Sequence, residues 1–404
     1  MIAFLYKIHK DVEPLFKKGG PLELLYPIYE AQETFLFQLG ETTKRASHVR
    51  DPLDSKRMMS TVIVALLPCL FFGIWNAGYQ AHVAQGISGT FWEYMLYGAI
   101  KVLPIVLVSY AVGGISELVF CLVKREEINE GFLVTGMLYP LSLAPTTPLW
   151  QVAIGIIFGI IIGKEVFGGT GFNILNPALT ARVFVFFAYP ASISGDAVWT
   201  AVDGYTSATP LLYATGLANG ADVVQALQTY SVNGIAGTSY SLENMFLGLI
   251  PGSIGETSTL ACLIGAVFLI ATGVGNWRTM LGCCFGVFVC ATLLNAVAGP
   301  DSNPAMHLPF YYHYVMGSFA FGAVYMATDP VSSSQTQKGM LIYGFFIGLL
   351  CVLIRVVNPA YPEGMMLAIL FMNVFAPAID HYVLRGHIKA RKKRADELAA
   401  GGLA

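Results

Sequence analysis

The chain has 404 residues, of which 55% are hydrophobic and only 12% charged, where a soluble domain carries about a quarter charged residues. Mean hydropathy is +0.62, so most faces of the molecule need a solvent that accepts apolar surface, which excludes an ordinary soluble enzyme and calls for a bilayer. The formal net charge of −2 decides nothing, because the charges are segregated along the chain.

Residues 1–57 form a polar, basic arm. They lack an apolar core ahead of a small-residue cleavage site, so no cleavable signal peptide is expected. Apolar segments then fall near 58–76, 95–123, 132–145, 149–166, 174–190, 253–275, 279–298, 310–328, 340–357 and 364–384. Several are about 20 residues long, enough to span, whereas 132–145 and 174–190 are short or broken by Pro and Gly. The pattern predicts an all-α integral membrane protein with ten transmembrane helices.

Lysine and arginine orient it. Lys7, Lys10, Lys17, Lys18, Lys44, Arg45, Arg50, Lys56 and Arg57 precede the first helix, and Lys124 and Arg125 follow the second. Lys164 and Arg182 flank the turn between the fourth and fifth, Arg278 follows the sixth, Lys338 precedes the ninth, and Arg385 to Arg394 form the tail. The alternate connections 77–94, 146–148, 191–252, 299–309 and 358–363 contain no Lys or Arg. By the positive-inside rule both termini are cytoplasmic and 191–252 is a large external loop. Lys101 and Arg355 break the pattern, and each is expected to snorkel outward or line a polar interior.

Five helices on each side of the external loop make the second half run inverted. The predicted organisation is a cytoplasmic arm at 1–57, a first five-helix repeat at 58–190, the external loop at 191–252, a second repeat at 253–385 and a basic tail at 386–404. Asn176-Pro177-Ala178 opens the fifth helix on the inner side and Asn358-Pro359-Ala360 precedes the tenth on the outer side. Proline at a helix start leaves no orphan donor, and half-helix ends inside a membrane bind polar or anionic groups in transporters. Two such motifs also occur in aquaporins, but the spacing here is too long, the helices are too many, and a pore of that kind has no use for the loop. All seven cysteines lie in apolar runs without a CxxC pair, which reads as small core residues.

The external loop contains DGYTSATPL at 203–211, a turn of small residues with three aliphatic hydroxyls. It resembles the signal at which bacterial flavin transferases esterify FMN to a threonine, with Ser207 where glycine is usual. Further blocks are TKRASHVRD at 43–51, GKEVFGGTG at 163–171 with Asn173 and Asn176, PGSIGE at 251–256, ATDPVS at 327–332 and VVNPAYPEG at 356–364. With these blocks in order, the chain resembles the B subunits of the sodium-translocating NADH:quinone reductases along essentially its whole length.

The resemblance implies two flavins: FMN on Thr209 through a phosphoester, with Thr238 the poorer candidate, and a non-covalent riboflavin near Asn173 and Asn176, whose amides match the pyrimidine edge of a flavin. It implies a quinone pocket by Gly113 and Gly114, walled by Phe184 and Phe186, and a sodium path through Glu117, Asp329 and Asp380, hard oxygen ligands suited to a small cation, with Glu165 and Glu256 as further members. The implied role is the membrane subunit of a redox-driven sodium pump in the bacterial inner membrane. Electrons would pass from FMN through riboflavin to ubiquinone or menaquinone, the cofactors carrying the redox chemistry. Its implied partners are an FMN-bearing external subunit, an NADH- and FAD-binding subunit, small membrane subunits, quinone, sodium and lipid, with no nucleic acid. The D subunit of the related Rnf complex is the nearest rival, and the polar arm and the block at Ser47–Asp51 favour the quinone reductase. A secondary transporter without redox function is the rival from another class.

Overall fold

The computed structural model describes residues 2–17, 19–27, 29, 33 and 55–401, apart from 126, 127, 129, 232–234, 236 and 359–362. The block at 43–51 and most of the second Asn-Pro motif therefore lie outside the described residues. Within them the chain is helical throughout, with no strand.

An N-terminal helix α1 (Ile2–Phe16) precedes the apolar part of the chain. Then come α2 (Ser55–Gln85), α3 (Phe91–Lys124), α4 (Gly131–Leu141), α5 (Leu149–Ile161) and α6 (Pro177–Ala188). The connecting region carries the short helices α7 (Pro210–Thr215), α8 (Val223–Thr229) and α9 (Leu242–Leu247). Next are α10 (Thr259–Ala271), α11 (Trp277–Val297), α12 (Phe310–Val315) and α13 (Phe319–Phe321), the last running into a π turn over Gly322–Met326. Two long helices, α14 (Gln337–Val357) and α15 (Met365–Gly401), complete the fold.

Among the described residues six helices are long and apolar enough to cross a membrane: Ser55–Gln85, Phe91–Lys124, Leu149–Phe167, Trp277–Val297, Gln337–Val357 and Met365–Leu398. Three further apolar helices, α4, α6 and α10, are only 11, 12 and 13 residues long. At 1.5 Å per residue they reach about 16–20 Å, well short of a hydrocarbon core of about 30 Å. Large apolar side chains stand exposed on the outward faces of the long helices, among them Leu107, Ile115 and Val119 on α3 and Phe371, Val374 and Phe375 on α15. An apolar exterior around a packed interior is what a multi-pass membrane protein presents to lipid.

Local sequence sets the helix ends. Thr90 and Glu93 form a capping box at the start of α3, the Thr90 N–H donating to Glu93 Oε2 at 2.6 Å. Asn176 caps α6 ahead of Pro177, and Ser258 and Thr336 cap α10 and α14. The broken regions satisfy one another. Past α4 the Leu141 and Leu143 carbonyls accept from the N–H groups of Gly255 and Ile254, at 2.7 and 3.0 Å. Unwound backbone at membrane depth is tolerated only where such partners exist.

Helices α11 and α14 meet through glycines. A Cβ on Gly286 would strike the Phe345 carbonyl oxygen, and one on Gly348 the Cys283 carbonyl oxygen. Both are backbone atoms that cannot swing aside, so the two helices touch main chain to main chain, as small-residue membrane interfaces allow. Gly286→Val is expected to push the pair apart and prevent a folded product, checked as loss of the monodisperse peak in size-exclusion chromatography of detergent-solubilised protein. All seven cysteines are free thiols, six of them buried, in agreement with a packing role. Of the two basic exceptions, Lys101 is exposed near the Tyr97 ring. Arg355 is wholly buried, and its guanidinium donates to the carbonyls of Glu363, His313 and Met316 at 3.2, 2.9 and 2.8 Å.

Candidate functional site

The break between α5 and α6 gathers the first group of residues. Past Ile161 the chain turns through Lys164 and a short 3-10 segment, Glu165–Phe167, and re-enters helix at Pro177. Gly168, Gly169 and Gly171 take φ of 123°, 102° and 94°, a region that side chains resist, so the glycine-rich run is what lets the chain fold back here. A pocket opens at this break, lined by Lys164, Thr170, Asn173 and Asn176 from the first half. Tyr325, Thr328 and Asp329 come from the second half, with Met58, Met59, Val62 and Leu138 as apolar wall. Asn173, Asn176 and Asp329, far apart in sequence, therefore share one cavity.

Their bonding is partly committed. Asn176 Oδ1 accepts from the N–H groups of Ala178 and Leu179 at 3.0 and 3.3 Å, so a ligand would take its NH2. Asn173 Nδ2 donates to the Leu175 carbonyl at 3.0 Å. Asp329 accepts from the Ser332 backbone N–H at 3.0 Å and from its hydroxyl. The Thr170 hydroxyl is buried with no hydrogen-bond partner among the described residues, an uncompensated group facing the same space. Amide and hydroxyl groups on one side and methionine, leucine and tyrosine on another suit a flat, amphipathic heterocycle.

Glu117 stands behind this pocket. Lys164 Nζ lies 2.5 and 2.7 Å from its two carboxylate oxygens, with both side chains almost fully buried. Lys124 pairs with Glu165 at 2.8 Å. Asp380 sits apart. Its carboxylate accepts from the Ser334 and Thr336 hydroxyls, both at 2.6 Å, and from the N–H groups of Gln335 and Thr336, at 2.7 and 3.0 Å. It thereby fastens the loop that leads into α14. Asp380→Ala leaves four donors without that acceptor and is expected to cost about 2–4 kcal/mol, read as a lower melting temperature of the purified protein.

Of the four residues expected at a quinone pocket, Gly113 and Phe184 meet different faces of α5. A Cβ on Gly113 would press on Phe132, Ile156 and Ile160, and Gly114 also looks onto Phe132. Phe184 instead stacks on Phe158, centroids 4.2 Å apart, and Phe186 meets Phe187 edge-on. Residue 158 points roughly 160–200° round the helix from 156 and 160, so α3 and α6 approach α5 from different sides.

At the opposite end, Thr209 caps α7, its Oγ1 accepting from the Leu212 N–H at 3.2 Å. It is half-buried and borders a small pocket with Pro251, Gly252, Glu256, Thr257, Gly317 and Glu363. The segment is held from one side: Tyr240, stacked on Tyr230 at 4.1 Å, donates its hydroxyl to the Ala208 carbonyl at 2.5 Å. Burial pushes the Tyr240 hydroxyl far above its ordinary range, so it remains a donor. Thr238, by contrast, is buried, and its hydroxyl donates to the Ile235 carbonyl at 2.7 Å. The two ends lie far apart. Tyr97, near one end of α3, bonds the Ala201 carbonyl, and Lys124, at the other, bonds Glu165. The 27 intervening residue steps rise about 40 Å.

The model of the family described as "NQR2, RnfD, RnfE family" matches residues 42–389. The chain belongs to this family. Full-length relatives agree with the NQR2, RnfD, RnfE family assignment. One in Chromohalobacter salexigens is 50% identical, covering 95% of each chain. Another, in Stutzerimonas stutzeri, is 48% identical over 97% of this chain and 98% of its own. A third, in Neisseria meningitidis, is 48% identical over 96% and 98%. Each is named as the B subunit of a Na(+)-translocating NADH-quinone reductase, so the resemblance to that subunit holds along nearly the whole chain.

Several residues of the site escaped the sequence reading. Lys164 counted only as a topological charge, yet it is the partner of Glu117. Arg182 likewise counted as an inner charge, yet it pairs with Glu363 at 2.9 Å. Thr170 and Tyr325 carried no signal beyond lying beside glycine-rich or apolar runs.

Proposed function

We propose that this chain is the membrane-embedded B subunit of a sodium-translocating NADH:quinone reductase, a translocase of the bacterial inner membrane with both termini cytoplasmic. The observation that carries the reading is the pocket that joins Asn173, Asn176, Lys164 and Asp329, with Glu117 directly behind it, in a chain whose relatives carry that name. Those relatives favour the quinone reductase over the Rnf complex, since the family itself spans both.

Two inverted five-helix repeats remain the organisation that best accounts for the chain. Helix α3 packs on α5 through Gly113, and α11 on α14 through Gly282 and Gly286; these are the second and fourth members of the two halves. The short helices α4 and α10 adjoin the unwound stretches that bond to each other. The Lys- and Arg-rich connections that meet around Lys124, Lys164 and Asp329 fit a cytoplasmic face, and 191–252 an external one.

In this reading Thr209 holds FMN as a phosphoester, and Asn173 and Asn176 hold riboflavin with their amides, Thr170 adding a hydroxyl. When bound, the flavins supply the electron transfer that ends on ubiquinone or menaquinone. The residues supply everything else. Tyr240 positions the Thr209 segment, the methionines and Leu138 exclude water from the inner pocket, and Glu117, Asp329 and Asp380 serve cations taken up from the cytoplasm. Glu117 can do so only when Lys164 releases it. The remaining subunits, with the NADH site among them, complete the complex, because the described residues form no fold for NADH.

The test is made on the purified complex and on inverted vesicles. Asn173→Leu is expected to remove the non-covalent flavin, measured by chromatography of the acid extract, and to stop NADH-driven sodium uptake. Full flavin content and full uptake in that variant would defeat the assignment of the pocket. Tyr240→Phe removes one hydrogen bond, worth about 1 kcal/mol, and is expected to lower the fraction of this chain that carries covalent flavin, read by intact-protein mass spectrometry.

A further inference from the structure

Lys164 belongs to two neighbourhoods at once. Its ammonium bridges both oxygens of Glu117 at 2.5 and 2.7 Å, and Glu165 Oε1 lies 3.8 Å away. The other Glu165 oxygen is held by Lys124 at 2.8 Å. Lys164, Glu117 and Glu165 are almost fully buried. The same Lys164 side chain also lines the pocket with Asn173, Asn176 and Asp329. It therefore has one carboxylate in its present grip and a second bordering the cavity on its open side.

The charges of the group decide what happens if it moves. Two carboxylates and two ammonium groups are neutral together, and burial makes neutrality matter. Withdrawing the Lys164 ammonium leaves two carboxylates against Lys124 alone, an excess of one negative charge in a site of hard oxygens. That excess matches a single monovalent cation, and oxygen ligands suit sodium. An ammonium seated on a carboxylate is itself a cation in that place. Because it is a compact charge on a flexible four-carbon stem, it can leave without moving the backbone.

We propose that Lys164 is a tethered counter-cation: seated on Glu117 it closes that carboxylate to sodium, and drawn towards the Asn173–Asp329 pocket it opens Glu117 and Glu165 as a site for one sodium ion. The trigger is negative charge arriving in the pocket, and in this respect the proposal rests on the reading of that pocket as a flavin site. Lys164 is thus a positioning residue. It links the redox state of the pocket to the affinity of the acid behind it, the differential affinity that coupling requires.

The experiment uses the intact complex in oxidised form and equilibrium binding of radioactive sodium. Lys164→Gln is expected to bind one additional sodium per complex with affinity raised roughly tenfold or more, and Lys164→Gln/Glu117→Gln to lose it. No additional sodium in an assembled Lys164→Gln complex, or a gain that survives in the double variant, overturns the proposal. Should Lys164→Gln fail to assemble, the unmodified complex carries the test. Labelling of Glu117 by a hydrophobic carbodiimide, mapped by peptide mass spectrometry, is expected to be low when oxidised. It should rise several-fold on reduction without sodium and fall when sodium is restored. Equal labelling in the two redox states overturns it. Failure of the underlying reading has a different signature: Asn173→Leu would then keep its non-covalent flavin while the Lys164→Gln sodium gain persisted.

Discussion

Thr209→Ala is expected to erase the proposed covalent flavin of this chain, so that the fluorescent band that survives SDS electrophoresis falls to background. The geometry makes this a clean experiment. Thr209 is extended, at φ −66° and ψ 157°, and caps a helix whose first residue is Pro210. Alanine adopts the same backbone, Pro210 still fixes the first turn, and Tyr240 still holds the Ala208 carbonyl. The lost cap costs about 1 kcal/mol, too little to unfold a protein of this size. Loss of fluorescence would then report loss of the attachment oxygen. Thr209→Ser keeps an oxygen and should retain part of the band. A full band in Thr209→Ala would move the attachment elsewhere, and the buried, internally bonded Thr238 would be a poor alternative. In the proposed reading quinone reduction by the complex should fall with the band, because the proposed electron path enters at this end of the molecule.

Glu117→Ala is expected to be the most destabilising of the charge substitutions, by about 3–5 kcal/mol. It strands the Lys164 ammonium in a nearly dry interior with only the more distant Glu165 to answer it. Lys164→Met should cost a similar amount for the mirror reason. The paired change Glu117→Ala/Lys164→Met removes both charges together and should cost far less than the sum, since much of each single loss is the penalty on the partner left behind. Melting temperatures of the detergent-solubilised complex, measured for all three, give the comparison. Losses that simply add would mean that the two side chains are not coupled. Sodium gives a further check: it should raise the melting temperature of Lys164→Met more than that of the unchanged protein, because a cation that binds the folded state stabilises it.

Much of the architecture was legible in the sequence because bilayer physics leaves few options. Apolar length gave the long helices. The Asn176-Pro177 signal gave a helix start that the structure reproduces with Asn176 as cap. Six of the seven cysteines in apolar runs are buried, as small core residues would be. The short segments 132–145 and 174–190 were marked by Pro and Gly, and they do form helices too short to span.

Other features were not legible because they depend on which side chain faces which. That Gly113 packs against Phe132 and two isoleucines depends on the neighbouring helices. That Phe184 stacks on Phe158 is likewise a matter of tertiary packing. Asp380 was one carboxylate among several, and its four donors come from a loop some 45 residues earlier in the chain. Arg355 could snorkel or line a polar interior; burial with three backbone carbonyls selects the second.

By itself, then, the sequence determined the solvent, the class of fold, the positions of most helices and the family, since these follow from hydropathy, charge placement and short motifs that are local properties of the chain. Only the tertiary structure decided how the buried charges are paired. Glu117 could have been a naked ion ligand; it is held by Lys164, 47 residues away. Asn173 and Asp329 share a cavity because two breaks in helical structure, far apart in sequence, come together there. Pairing in a low-dielectric interior depends on distances of a few ångströms between segments far apart in sequence, and a one-dimensional pattern does not contain those distances.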